Sequence, residues 1–252
     1  MNGITLFGFN NLTKSLSFSL YKLHYLTSQP DSYNLFIKER YNADKLNIVL
    51  TEICHAIGGT VLNIAKQDYQ PQGASVTLMI SEESQDEPLS TMASESIIAH
   101  LDKSHLCIHT YPEESPQDGI AIFRADIELS TCGVISPLKV LNKVIEAFDA
   151  DVIDIDYRIR GMTRDRQGNK LFNVDKLNSV SDFLSAEMKR SYNISEHNFR
   201  EQNLFHTKLS RKYIELSDYI FENNIECLLA DEQCAINTKL TKEIHQLFSK
   251  IN

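Results

Sequence analysis

The sequence predicts an α+β protein in which helices cover a sheet, followed by a mostly helical C-terminal extension. Two observations carry this. Apolar and polar residues alternate in several stretches up to Arg160, the period of half-buried strands, whereas after about Val174 the apolar spacing is mostly helical. Strands concentrated in one part of a chain and helices in another are best buried as a sheet with helices packed on it. At 252 residues the chain is long enough for a full core, and neither a repeat nor a clear linker divides it.

Taken in order, Ser15 to Tyr21 alternates like a strand, and a polar break follows at Ser28 to Ser32, with Pro30 inside it. Leu46, Val49, Leu50, Ile53 and Ile57 have helical spacing, and Gly58-Gly59 is a plausible stop for that helix. Thr60 to Ala65 reads as a strand, Pro71-Gln72-Gly73 as a turn, and Ser75 to Ile80 as a second strand. Residues 81–95 are polar and acidic, as in an exposed loop. Leu106 and Ile108 alternate with their neighbours, so the chain after Ser104 is expected to be a half-buried strand. Period 2 then puts Ser104, Leu106 and Ile108 on one face and His105, Cys107 and His109 on the other. Ile120 to Ser130 is a long strand. Ser136-Pro137 reads as an N-cap followed by proline at the first helical position, ahead of a helix burying Leu138, Leu141, Val144, Ile145 and Phe148. Asp151 to Arg160 is a strand, Arg164 to Lys170 with Gly168 a turn, and the last helix lies near Thr238 to Ser249.

The net charge of −9 argues against a nucleic-acid partner, which calls for a basic face. No apolar run approaches the roughly 18 residues of a membrane span. The start, M-N-G-I-T-L-F-G-F-N, lacks a basic region leading into an apolar core, so no signal peptide is expected. Cys54, Cys107, Cys132, Cys227 and Cys234 form no C-x-x-C pair, which signals neither a zinc site nor a disulfide framework. Reduced thiols and a cytoplasmic location are the expectation.

Four blocks carry a resemblance: F-G-F-N-N-L-T-K-S-L-S-F (Phe7 to Phe18), D-Y-Q-P-Q-G-A-S-V-T (Asp68 to Thr77), D-K-S-H-L-C-I-H-T-Y-P-E (Asp102 to Glu113) and F-R-A-D-I-E-L-S-T-C-G-V-I-S-P-L-K (Phe123 to Lys139). Together they resemble the prokaryotic S-adenosylmethionine decarboxylases in their longer, enterobacterial-type form. The resemblance covers essentially the whole chain and is least specific after about residue 165. It implies an antiparallel sheet covered by helices, the sandwich of that family. It also implies one domain, 1–252, that cuts itself into a β chain (1–103) and an α chain (104–252).

The same resemblance implies roles for particular residues. Ser104, after Lys103 at the cleavage point, becomes a pyruvoyl group, the cofactor to which substrate is joined as a Schiff base. A Lys-Ser-His triplet by itself reads only as a solvated loop. His109 matches the proton acceptor in processing, a task suited to imidazole at neutral pH; otherwise it is a strand histidine with one hydrogen bond, as His105 is expected to be. Cys132 matches the proton donor in catalysis, because a thiol with an ordinary pKa of about 8.5 is mostly protonated at neutral pH. Its commoner fate, a small buried hydrophobe, is assigned to Cys54 and Cys107. Ser75 matches a serine that assists processing, in competition with Ser96. Tyr69 occupies the place of an aromatic that stacks on adenine, and Glu113 that of a carboxylate accepting from ribose hydroxyls. Lys103 departs from the shorter members, which carry glutamate there, so no substrate contact is transferred to it.

The resemblance further implies S-adenosylmethionine as substrate, magnesium dependence, and a homo-oligomer, dimer or tetramer, of cleaved protomers with a site shared between subunits. No magnesium motif is visible. Three other readings compete: a pyruvoyl-dependent decarboxylase of a basic amino acid, an unprocessed regulatory homologue, and a cysteine hydrolase using Cys132 with His109. Glu113 and Tyr69 argue against the first. Intact Ser104, His109 and Cys132 argue against the second, and the lack of any oxyanion signature against the third.

Overall fold

The computed structural model describes residues 11–26, 30–82, 104–113, 118–132, 135–165, 167–173, 177–221 and 228–250. Strand β1 (Thr13–Leu26) is the spine. Helices α1 (Pro30–Arg40) and α2 (Ala43–Ile57) follow, then β2 (Gly59–Asp68), β3 (Ala74–Glu82), β4 (His105–Pro112) and β5 (Ile120–Cys132). A 3-10 turn, Pro137–Val140, leads into α3 (Leu141–Phe148) and β6 (Val152–Arg160). A small hairpin, β7 (Thr163–Arg164) and β8 (Lys170–Leu171), precedes α4 (Ala186–Ser191). The chain ends with β9 (Tyr192–Phe199), β10 (Leu204–Arg211), β11 (Ile220–Phe221) and α5 (Ala230–Ser249).

Among the described residues one nine-stranded sheet forms in the order β2-β3-β4-β5-β1-β6-β10-β9, with β11 added beside the end of β1. Every pair is antiparallel except β1–β11. The period-2 pattern decides which face is which. Leu16, Phe18 and Leu20 of β1, Val76 and Leu78 of β3, Leu106 and Ile108 of β4, and Phe123, Ile127 and Leu129 of β5 are all buried on one face. Leu46, Leu50, Ile53 and Ile57 of α2 and Leu141, Val144, Ile145 and Phe148 of α3 pack there. Tyr41, after α1, stacks on Phe123 with ring centroids 4.1 Å apart.

The second face is divided. At one end α5 lays Ile236, Leu240 and Ile244 over Leu23, Ile120 and Val152. At the other end the register aligns polar residues: Ser17 and Ser19 of β1 with Glu128 and Asp126 of β5 on one side and Asp156 and Asp154 of β6 on the other. Cys107 and His109 of β4 continue these rows.

The α+β class and the sheet covered by helices hold as the sequence predicts, and the C-terminal end is helical. Three details differ. Residues 30–40 are helical; Pro30, read as part of a break, opens the helix, where its fixed φ and missing N–H cost nothing. Ser136 gives no side-chain cap, and its proline begins a 3-10 turn before the helix proper. Within the stretch expected to be mostly helical, Tyr192–Phe199 and Leu204–Arg211 are strands. In β10, Phe205, Thr207 and Leu209 point inward at period 2, a signal too short to outweigh the charged and polar residues around it. The loop expected at 81–95 lies, beyond Glu82, outside the described residues, as do Ser96, Lys103 and Cys227.

Candidate active site

Ser104 sits immediately before β4 and is buried, 1 % exposed. Its carbonyl accepts from the Ile80 amide of β3 at 3.3 Å, which ties this residue to the sheet. Its hydroxyl lies 3.3 Å from the sulfur of Cys132, the last residue of β5, a contact in which either atom can donate. Just before Cys132 the Thr131 hydroxyl donates to the Ile135 carbonyl at 3.3 Å and fixes the course of the chain beyond the strand. Two residues separated by 28 positions (104 and 132) thus meet because β4 and β5 are antiparallel neighbours, with His105 opposite Ser130. The remaining described cysteines behave differently. Burial pushes the Cys54 thiol up to about 11, and burial with the Glu128 charge pushes Cys107 up. Cys234 is exposed.

His109 lies further along, the fifth residue of β4, the strand that begins just after Ser104. Five residues at about 3.3 Å each separate them by roughly 16 Å. Across the sheet His109 is the register partner of Ser75 on β3 and Asp126 on β5. The structure therefore brings Ser75 to His109 and Ser104 to Cys132, as two groups separated along β4.

Tyr69 and Glu113 belong to the His109 end. Tyr69 lies in the β2–β3 turn, its amide donating to the Gly73 carbonyl at 2.8 Å. Gly73 has φ +101°, and a Cβ there would meet the Thr110 carbonyl oxygen at 2.9 Å and Tyr69 Cδ2 at 3.4 Å. This close approach presses the Tyr69 turn against the end of β4. Glu113 follows that strand, and one carboxylate oxygen accepts from the Ile122 amide at 3.0 Å.

Thr110 was not singled out by sequence reasoning, yet it joins the parts of this end. Its buried hydroxyl accepts from the Ala74 amide at 2.8 Å and donates to the Ala74 carbonyl at 3.2 Å. It locks the entry of β3, next to Ser75, onto the residue after His109. Its place in H-T-Y-P-E, inward-facing between two outward residues, was the available signal.

Among the described residues no group of three or more His, Cys, Asp or Glu side chains converges as metal ligands do. The described residues do not fit a magnesium site. Among the described residues, no helix is long and apolar enough to cross a membrane.

The fold and the site define an α+β sandwich with a serine–thiol pair at the head of a central strand. Residues 37–161 match the family model described as S-adenosylmethionine decarboxylase. The S-adenosylmethionine decarboxylase proenzyme of Klebsiella pneumoniae is 47% identical over 256 residues, covering 98% of this chain and 97% of that protein. Those of Escherichia coli O45:K1 and Yersinia enterocolitica are 47% and 48% identical with the same coverage. Among solved structures, the adenosylmethionine decarboxylase of Aquifex aeolicus aligns at TM-score 0.36 and 15% identity, over 60% of this chain and 90% of that one. The chain belongs to the S-adenosylmethionine decarboxylase family.

Proposed function

We propose that this chain is a self-processing decarboxylase that converts S-adenosyl-L-methionine to S-adenosylmethioninamine, the aminopropyl donor of spermidine biosynthesis. The observation that carries the reading is the Ser104 hydroxyl held 3.3 Å from the Cys132 thiol in a chain of this family. In processing, the Ser104 hydroxyl attacks the Lys103 carbonyl carbon and the peptide C–N bond breaks, leaving an ester and a free amine. A base removes the Ser104 α-proton, the Cβ–O bond breaks, and the Lys103 carboxylate leaves. The resulting dehydroalanine tautomerises, and water replaces its nitrogen as ammonia departs. One domain then consists of two chains, 1–103 and 104–252. The pyruvoyl group so formed supplies a carbonyl for the substrate amine and an electron sink as carbon dioxide leaves. The Cys132 thiol, beside position 104, then delivers a proton to the substrate α-carbon.

His109 is the processing base and Ser75 assists it. In one subunit they are about 16 Å along the strand from Ser104, too far for proton transfer. We read the site as shared in a homo-oligomer: Ser104 and Cys132 of one subunit face His109 and Ser75 of the partner subunit. Glu113 and Tyr69 accompany His109, so a nucleoside is held from that side, ribose hydroxyls on Glu113 and adenine against Tyr69. A free basic amino acid would leave both unused. The protein is placed in the cytoplasm, where its thiols stay reduced.

The test is an intact mass of purified protein with a check for a free amine on the larger chain. Two chains parting after Lys103 are expected, the second blocked and lighter than a serine start by the elements of ammonia. Ser104→Ala should remain one chain. Complete cleavage of that variant would remove the assignment.

A further inference from the structure

We infer that Asp126 is the positioning residue for His109, holding its imidazole in the orientation and tautomer that accept the Ser104 α-proton. The inference rests on the reading of His109 as the processing base. Ser75, His109 and Asp126 form one row across β3, β4 and β5, all half-buried on the polar face. Residues directly opposite in adjacent antiparallel strands have Cβ atoms about 4.5–5.5 Å apart, within reach of a bond between an imidazole and a carboxylate.

The carboxylate is only half used. Asp126 Oδ2 takes the Arg124 guanidinium at 3.3 Å. Asp126 Oδ1 is buried and meets no donor. A buried carboxylate oxygen without a donor is unfavourable, so a fold that keeps one calls for a donor. The side chains facing it are Arg124 and Glu128 on its own strand, Cys107, His109 and Tyr111 on β4, and Ser17, Ser19 and Tyr21 on β1. Arg124 gives a terminal nitrogen to Asp126 Oδ2 and lies over the Tyr111 ring at 4.2 Å from its centroid, while its own Nε is also buried without a partner. Of the two residues directly opposite Asp126, Ser19 and His109, only His109 carries a nitrogen donor with a second nitrogen left over for proton transfer. A ring N–H given to Asp126 leaves the other ring nitrogen bare and aimed off the sheet. This is the division of labour by which a carboxylate fixes the tautomer of a working histidine. Ser75, on the other side of His109, is then free to act on the scissile carbonyl.

The experiment compares processing of Asp126→Asn, Asp126→Glu, His109→Ala and the double variant D126N/H109A, each freshly made and followed by gel with and without hydroxylamine. D126N should slow maturation at least tenfold and accumulate an ester that hydroxylamine cuts between Lys103 and Ser104, as H109A does. D126E should recover part of the rate, and the double variant should be no slower than H109A. A merely structural loss would slow processing without accumulating ester. Melting of Ser104→Ala with and without D126N separates folding from chemistry; should D126N not fold, the same readings are taken on Asp126→Ser. Wild-type processing by D126N while H109A stalls overturns the role of Asp126 alone. Normal processing by H109A overturns the base reading itself.

Discussion

The Thr110 hydroxyl is a point where fold and site can be tested with one substitution. It serves both polar groups of Ala74, accepting from the amide at 2.8 Å and donating to the carbonyl at 3.2 Å, and Thr110 is 2 % exposed. Valine has the same shape and neither capacity. In Thr110→Val the Ala74 N–H and C=O are left without that partner, each at about 1–3 kcal/mol, against a gain of under 1 kcal/mol from a buried methyl in place of the hydroxyl. The expected loss is about 1–6 kcal/mol. It is read as the urea midpoint of the uncleavable Ser104→Ala chain, with the slope unchanged. Thr110→Ser keeps the hydroxyl and should lose only about 1 kcal/mol for its methyl group. Because the same hydroxyl joins the residue before Ser75 to the residue after His109, T110V with native Ser104 should also mature more slowly than T110S. A T110V chain within about 0.5 kcal/mol of its parent would refute the reasoning, since two buried backbone groups would then have cost nothing.

Three further outcomes are expected. His109→Ala should stall at the ester, so that hydroxylamine releases a fragment ending at Lys103; unaided normal processing would show that another group is the base. Cys132→Ser should mature but lose most of its turnover and accumulate alanine at position 104, because the proton reaches the wrong carbon; peptide mass after turnover reads this directly. His24 is buried beside the Tyr33 and Phe36 rings, and burial, with Lys22 and Arg40 adding to it, holds its imidazole down at about 3. The folded state then keeps His24 neutral while the unfolded chain takes up a proton below about 6.5, so stability falls as pH drops from about 6.5 toward 3, by up to about 1.4 kcal/mol per pH unit. Thermal melts of His24→Phe between pH 7.5 and 5 should show a shallower decline than the parent; an equal slope would mean that His24 contributes nothing to it.

Much of the sheet was legible because its strands bury one face only outside the end that α5 covers. Leu106-Ile108 and the apolar positions of Ile120 to Ser130 have the period of two that a half-covered sheet requires. Helix α2 was legible from both its apolar stripe and Gly58, which has φ +88° at the C-cap. Helix α1 was not, since its weakly amphipathic sequence leaves Tyr33 and Ile37 buried amid polar residues and its proline signals a break as readily as a start. The pairing of Ser104 with Cys132 followed from the family resemblance, and no local pattern connects them. Their distance depends on the register of β4 against β5, which a sequence specifies only through long-range packing. The same limit hid the row of Ser75, His109 and Asp126: each strand placed its own residue on the polar face, but the alignment of three strands was not readable from any one of them.

The C-terminal third completes the sheet rather than standing apart from it. Asp151, fully buried just before β6, accepts from the Leu23 amide at 2.8 Å, the Tyr219 hydroxyl at 2.7 Å and Arg211 Nε at 3.1 Å, with Lys22 Nζ at 3.6 Å. Lys22 also reaches Asp149 at 2.9 Å. Burial raises the Asp151 carboxyl, opposed by these partners, and a charge so enclosed is tolerable only while each of them stays in place. Arg211 and Tyr219 come from the C-terminal third and Lys22 and Leu23 from β1, so the network pins the tail to the spine. With Tyr219 held, β11 pairs with the end of β1 and α5 lies across Leu23, Ile120 and Val152. That placement covers the apolar end of the second sheet face, and Lys250, just past α5, pairs with Asp154 in the polar rows. Tyr219→Phe should therefore act at a distance. Removing one donor from the buried carboxylate is expected to cost about 1.5–3 kcal/mol. Limited proteolysis should then release the α5 region before the sheet is attacked, while processing at Ser104 proceeds. Proteolysis that begins instead in β4 or β5 would show that the tail is fastened by α5 packing and not by Asp151.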